Sequence, residues 1–165
     1  MLSELYAGSL ADAERRLETI SLAQIEHLAF SQTAALNAMA ALAPRQIIHV
    51  LAEVKRASPS KGQMAEIADP AELAKIYADN GASAISVLTE ERKFKGSLAD
   101  LEAVRKVVNV PLLRKDFIAT EHQILEARAA GADIILLIVA GLNESDIARL
   151  MRFTFELGMT PFIET

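Results

Sequence analysis

The chain has 165 residues, of which 52% are hydrophobic and 24% charged, and its formal net charge is −5. These values are typical of a single globular domain with a substantial core, and they exclude an intrinsically disordered chain. Acidic and basic residues are interspersed, which argues against a nucleic-acid partner, since phosphate backbones require a concentrated basic surface. The chain contains no cysteine, so disulfides and thiolate metal sites are excluded as well.

The sequence gives no sign of a membrane or export segment. No apolar run approaches the roughly 18 residues expected of a membrane-spanning helix. The first residues include acids and lack the basic start and apolar stretch of a secretory signal. We therefore expect no membrane partner and a cytoplasmic location.

The first 45 residues have a helical composition throughout. Alanine, leucine, glutamate and glutamine dominate residues 10–43, and all four favour helices. Ser21 and Gln24 have the spacing of a capping box that opens a second helix. Pro44 then ends the helical pattern. We predict an N-terminal helical extension over residues 1–45.

After Pro44, short apolar segments alternate with amphipathic helical patterns. The apolar segments lie at 47–54, 84–88, 111–113, 134–139 and 161–163. This alternation predicts βαβ units and a parallel sheet. The near-regular spacing favours a (β/α)₈ barrel, although an open doubly wound sheet also fits the pattern. Residues 46–165 are therefore predicted to form a partial barrel with strands 1–5.

Charged residues lie at the end of the first predicted strand, where a barrel carries its active site. Glu53 and Lys55 are two residues apart, so in an extended segment both point to the same face. A structural ion pair is one interpretation. Buried ion pairs stabilise proteins poorly, however, so we favour a functional role for this pair.

The third and fifth predicted strands also end in charged residues. Strand alternation places Arg114 and Lys115 on opposite faces, which predicts a lysine in the barrel mouth. A solvated turn explains these charges equally well. Glu164 follows the fifth strand as a lone carboxylate and is by itself a weak signal.

Two loops have compositions suited to ligand binding. The loop at 56–62, which includes Ser58, is small, polar and cationic, and can wrap an anion or simply connect a strand to a helix. The loop at 92–96 places Phe94 among cations, where its ring can contact a flat substrate or the helix beneath. No GxGxxG, P-loop, HExxH or CxxC motif occurs, and the three histidines lack metal-ligand spacing. We therefore predict neither a metal nor a cofactor.

Several ordered motifs resemble the indole-3-glycerol-phosphate synthase family. They run from about residue 47 to the end of the chain, and their order and spacing make the resemblance specific. The motifs are AEVKRASPSKG at 52–62, SVLTE at 86–90 with Phe94 and GS at 96–97, LRKDFI at 113–118, GAD at 131–133, LLIV at 136–139, GM at 158–159 and IE at 163–164.

The resemblance implies a (β/α)₈ barrel with extra N-terminal helices and a lyase of tryptophan biosynthesis. Its substrate would be a small phosphosugar, 1-(2-carboxyphenylamino)-1-deoxyribulose 5-phosphate, which loses CO₂ and water without a metal or organic cofactor. By position, Lys115 resembles the general acid, Glu164 the general base, and Glu53 the residue that orients the lysines.

The remaining site residues implied by the resemblance bind the substrate. Lys55 would bind its anionic groups, Ser58 its carboxylate, and Phe94 its aromatic ring. Two alternatives stay open. One is another phosphosugar barrel enzyme, such as phosphoribosylanthranilate isomerase, although Glu53 and Lys55 together with Lys115 argue against it. The other is a non-enzymatic, self-associating half-barrel.

The resemblance covers a barrel truncated after the fifth strand. We expect the chain alone to be inactive, because the later strands and their phosphate-binding loops would be absent. We also expect it to self-associate, because its two edge strands would be unpaired. Residues such as Val50, Ala52 and Leu112 would then lie on an open inward face.

Overall fold

The computed structural model describes residues 1–64 and 66–165. Helices and strands alternate after an N-terminal group of three helices. In chain order the elements are α1 (Leu2–Leu17), α2 (Leu22–Ser31), α3 (Ala38–Ala41), β1 (Leu51–Val54), β2 (Ala57–Ser58), β3 (Gly62–Gln63), α4 (Pro70–Asp79), β4 (Ala84–Leu88), α5 (Leu98–Arg105), β5 (Leu112–Lys115), α6 (Glu121–Ala129), β6 (Ile134–Ile138), a 3₁₀ turn (Val139–Gly141), α7 (Glu144–Glu156) and β7 (Thr160–Glu164).

Five parallel strands form the main sheet, in the order β1-β4-β5-β6-β7. Each strand therefore pairs with the next main-sheet strand along the chain, without the reversal of order that defines a doubly wound sheet. This sequential order is the connectivity of a (β/α)₈ barrel, and it confirms the predicted fold class. β2 and β3 form a separate short antiparallel hairpin, which the sequence analysis did not predict.

The two faces of the sheet are both largely buried, but against different elements. On one face Ile85, Leu112 and Ile135 pack against the helices that connect the strands. On the inner face, Leu113 and Leu136 pack with residues of the N-terminal helices. The prediction that Leu112 lies on an open inward face is wrong, because strand alternation directs it to the helices, where it is fully buried.

Two other residues expected on the open inward face also lie elsewhere. Ala52 packs against the helix-side cluster, because it alternates with Glu53 along β1. Val50 is exposed but precedes the strand. The open part of the inner face instead belongs to the two edge strands, at Leu51 of β1 and Phe162 of β7.

The composition predicted helix throughout the N-terminal region, but the structure is helical in only part of it. The chain is non-helical between α2 and α3, where its polar groups bond to the sheet and its helices instead of to a helix of their own. Gln32 Nε2 donates to the carbonyl of Ala129, and the Leu36 amide donates to Asp133. These contacts carry the chain across the amino ends of the strands, whereas α1 lies at the opposite end.

The first strand is shorter than predicted and begins at Leu51 rather than residue 47. The preceding segment is attached by the Val50 carbonyl, which accepts from the Ser83 amide at 2.8 Å, and by two side chains. Arg45 and His49 both bond to the Ser83 hydroxyl, and His49 also bonds to the carbonyl of Ala43. Apolar composition alone therefore overestimated the length of the strand.

Candidate functional site

A cavity of about 420 Å³ opens at the carboxyl ends of the parallel strands. Its wall includes five of the six residues that the sequence analysis selected: Glu53, Lys55, Phe94, Lys115 and Glu164. They come from the ends of three strands and from one loop, which are four separate parts of the chain. The structure therefore brings together a set of groups with acid, base and aromatic character.

Strand alternation and register explain this convergence. Lys115 ends β5 opposite Leu88 of β4, and Glu164 ends β7 opposite Ile138 of β6. These two residues and the two partners opposite them all direct their side chains to the inner face, since they alternate with helix-facing neighbours. Arg114, adjacent to Lys115, is fully buried on the helix side, which confirms that the two cations lie on opposite faces.

The cavity holds two ammonium–carboxylate pairs. Lys55 Nζ donates to Glu53 Oε1. Lys115 Nζ lies 3.4 Å from Glu164 Oε2, with the two side chains 30% and 48% exposed. The charges of the two pairs cancel, and both remain open to the cavity. Such an arrangement provides proton donors and acceptors within reach of one bound molecule.

One side of the cavity is aromatic. The ring of Phe94 lies 6.1 Å from that of Phe117, and Phe117 makes an edge contact with Tyr6 at 5.6 Å. The Tyr6 hydroxyl donates to the carbonyl of Ile138 at 3.4 Å. Burial, reinforced by the charge of Glu164, raises the pKa of Tyr6 to about 12. Tyr6 therefore stays protonated and supports Phe117 from behind, while Leu2 of α1 lines the cavity itself. The sequence analysis missed this contribution of α1.

The loop that carries Phe94 is fixed to the end of β4. The Glu90 carboxylate accepts hydrogen bonds from the backbone N–H groups of residues 92–94. At Gly96 the backbone passes so close to the Leu88 carbonyl that a Cβ would lie 2.0 Å from its oxygen. Glu90, at the start of this loop, is buried because its carboxylate caps the amides of the loop.

Ser58 is the one selected residue that does not line this cavity. It belongs to the β2–β3 hairpin and borders a second cavity of about 620 Å³. Cationic side chains of Arg56, Lys93 and Lys95 also border that space. The composition suits an anion, but the structure does not bring Ser58 together with the two ion pairs.

Within the described residues, 1–64 and 66–165, no group of three or more His, Asp or Glu side chains is arranged to hold a metal ion. Among the same residues, no helix is both long and apolar enough to cross a membrane.

Comparison with known proteins identifies the family. Residues 2–165 match the family model described as "Indole-3-glycerol phosphate synthase". Curated proteins of that name are 57% identical in Leifsonia xyli subsp. xyli (strain CTCB07), 54% in Arthrobacter sp. (strain FB24) and 53% in Rhodococcus opacus (strain B4). These alignments cover 99%, 100% and 99% of this chain, and 63%, 62% and 61% of the relatives. The chain thus spans about three fifths of the length of the relatives it matches. It belongs to the indole-3-glycerol phosphate synthase family.

Proposed function

We propose that the chain supplies the acid–base half of an indole-3-glycerol phosphate synthase site. The reaction converts 1-(2-carboxyphenylamino)-1-deoxyribulose 5-phosphate into indole-3-glycerol phosphate, CO₂ and water. The observation that carries the proposal is the convergence of Lys115, Glu164, Glu53 and Lys55 on one cavity at the strand ends. In barrel enzymes this end of the strands carries the chemistry.

In the first step, the ring carbon that bears the carboxylate attacks the ketone carbon of the sugar chain. Lys115 acts as the general acid and gives its proton to the ketone oxygen, which becomes a hydroxyl group. The bond to the carboxylate then breaks, CO₂ leaves, and the released electron pair restores the aromatic ring. Glu53 supports this step by pairing with Lys55 and so orienting the cations of the site.

In the second step, the new hydroxyl leaves as water after it takes a proton from an ammonium of the site. Glu164 acts as the general base and removes a proton from the adjacent carbon, which forms the double bond of the five-membered ring. The 3.4 Å distance between Lys115 Nζ and Glu164 Oε2 supports this assignment, since acid and base must reach neighbouring substrate atoms. The overall reaction is redox-neutral, so it needs no oxidant or reductant.

We further propose that Phe94, with Phe117 beside it, contacts the substrate's aromatic ring. Lys55 would bind an anionic group of the substrate. Ser58 would bind the carboxylate, and the cationic border of its cavity supports that role. The N-terminal extension, residues 1–45, would complete the site through Tyr6, and the protein would act in the cytoplasm.

A chimera tests the proposal. Residues 1–165 are joined to the remaining C-terminal part of the Leifsonia xyli relative, which supplies none of the acid–base residues named here. We expect the chimera to form indole-3-glycerol phosphate, and the C-terminal part alone to form none. The 165-residue chain alone should also be inactive. Binding of the non-reacting parts of the substrate supports the chemical step, and the chain alone lacks the later strands and their loops.

The same assay separates the alternatives. Turnover of phosphoribosylanthranilate without indole-3-glycerol phosphate formation would favour an isomerase. A folded chimera that turns over neither substrate would contradict the proposed function and favour a non-enzymatic module.

A further inference from the structure

Asp116 directly follows Lys115 and borders the same cavity, yet its carboxylate is buried and fully occupied by hydrogen bonds. Such a saturated carboxylate has little capacity left to bind substrate or to move a proton. Its four donors are Ser9 Oγ (2.9 Å), Thr89 Oγ1 (2.6 Å), Arg114 Nη2 (2.9 Å) and the Phe117 amide (2.8 Å).

Three of these donors come from separate parts of the fold around Lys115, and the fourth is the amide of the next residue. Ser9 lies in α1, Thr89 immediately follows β4, and Arg114 lies in β5. The Thr89 amide in addition donates to the carbonyl of Lys115 at 3.0 Å. The backbone of Lys115 is therefore held between two buried charges, Arg114 and Asp116, and tied to the neighbouring strand.

The charges of this buried network are balanced. Arg114 also lies 3.3 Å from Glu126, which in turn pairs with Arg16 of α1. Burial alone would raise the pKa of Asp116. The charge of Arg114 and the hydrogen bonds from Thr89 and Arg114 outweigh burial and hold that pKa below its usual value. Asp116 is therefore ionised at neutral pH and matched by a buried cation.

We propose that Asp116 is a positioning residue that fixes the Lys115 ammonium beside Glu164. The inference rests on the proposed function, because it assigns Asp116 a part in the same reaction. Asp116 acts only through Lys115: it joins α1, β4 and β5 behind the lysine and sets the direction from which the ammonium enters the cavity. A displacement of about 1 Å in such a group can reduce the rate about a hundredfold.

The first test uses Asp116→Asn in the chimera described above. Asparagine preserves the shape but removes the charge and leaves Arg114 with only one of its two carboxylate partners, Glu126. We expect kcat to fall at least about tenfold while KM changes less than about threefold, since the lysine acts in the transition state. Ser9→Ala removes one donor and no charge, so its kcat should fall less. It also serves as the second variant if Asp116→Asn does not fold.

Asp133→Asn is the matched control. Asp133 is likewise a buried carboxylate that accepts from an arginine, Arg105, and from a backbone amide, Leu112. Asp133 immediately precedes β6, at the amino ends of the strands and away from the cavity. We expect this substitution to lower stability while leaving kcat within about twofold of the parent, as is usual for a distant structural change.

A second readout does not depend on activity. Trace labelling with acetic anhydride, followed by mass spectrometry, measures the reactivity of Lys115 relative to the exposed Lys75 in the 165-residue chain. Asp116→Asn should change this ratio at least about threefold, and Asp133→Asn should not, because lysine reactivity follows local charge and access. If the chimera is inactive but the ratio changes, the proposed function fails and the positioning role stands.

The proposal is overturned if Asp116→Asn matches Asp133→Asn in both kcat and Lys115 reactivity. It is also overturned if kcat falls with no change in that reactivity, since Asp116 would then act by another route. A change in reactivity with normal kcat in an active chimera would equally remove the kinetic role.

Discussion

Lys115 Nζ and Glu164 Oε2 lie 3.4 Å apart although 49 residues separate them in the chain. The two residues end β5 and β7, and β6 lies between these strands. The pair therefore depends on sheet register and on inward side chains, not on neighbouring backbone. An ammonium and a carboxylate so placed can act on adjacent atoms of one substrate.

The first prediction concerns these two residues in the chimera. Lys115→Met removes the proposed acid, and Glu164→Gln the proposed base, with little change in size. We expect each to lower kcat by about 10²–10⁴, the usual contribution of a general acid or base. Steady-state measurement of indole-3-glycerol phosphate formation checks this. Lys75→Met, in an exposed ion pair on α4, should leave kcat unchanged. A Lys115→Met variant with parental kcat would remove the lysine from the mechanism.

Local chemistry made part of the fold predictable from sequence. The Ser21–Gln24 spacing predicted a capping box, and both of its reciprocal hydrogen bonds are present. Alternation along the third predicted strand correctly separated Arg114 from Lys115. Both signals work because the interacting groups are within a few residues of each other.

The parts that sequence analysis missed depend on distant contacts. Tyr6 lies 132 residues from Ile138, to which it is bonded, and nothing in the surrounding helical pattern distinguishes it from a core tyrosine. The segment at 47–50 has strand composition, but the strand begins only at Leu51, and the His49 ring bonds to Ser83 and Ala43. Such choices are set by tertiary context, which overrides local preference.

The second prediction concerns the contact between α1 and the 3₁₀ turn. A Cβ at Gly141 would lie 2.0 Å from the Tyr6 ring, so Gly141→Ala should displace α1. We expect a loss of about 1–3 kcal/mol in the free energy of unfolding, as for other overpacked sites. Urea unfolding of the 165-residue chain measures it. In a Tyr6→Ala background the same substitution should be nearly neutral. Equal losses in both backgrounds would show that the clash is not with Tyr6.

The third prediction concerns acid stability. Burial alone would raise the pKa of Glu126, but hydrogen bonds from Arg16, the His122 ring 3.3 Å away and the charge of Arg114 lower it to about 2. The folded-state pKa is thus below the usual 4.5, so the ionised carboxylate stabilises the fold. This contribution, about 3 kcal/mol, is fully present above about pH 5 and is lost as the pH falls towards 2.

Glu126→Gln tests this dependence. The variant should be less stable than the parent at pH 7, and the difference should shrink as the pH is lowered to about 3. Glu121→Gln is the control, because Glu121 lies in the same helix in an exposed pair with Arg149. Urea unfolding across the pH series measures both. A constant difference between the Glu126→Gln variant and the parent would contradict the assignment.

The last prediction concerns association of the 165-residue chain. β1 and β7 are the edges of the main sheet, and each carries exposed apolar side chains, such as Leu51 and Phe162. Unpaired edges pair with other chains, and exposed apolar surface favours association. The central strands are covered on their inner face by the N-terminal helices, so association should be confined to the edges.

Sedimentation velocity over a concentration series should therefore show a dimer or larger species at high micromolar concentration. Phe162→Lys places a charge on the inner face of the β7 edge and should shift the chain towards the monomer, since lysine on an edge opposes pairing. Ile76→Lys introduces the same charge at an exposed apolar position on α4 and should leave association unchanged. If Ile76→Lys gives the monomer and Phe162→Lys does not, the helical surface and not the sheet edge is the interface. A parent chain that stays monomeric throughout the series would show that the edges do not drive association at all.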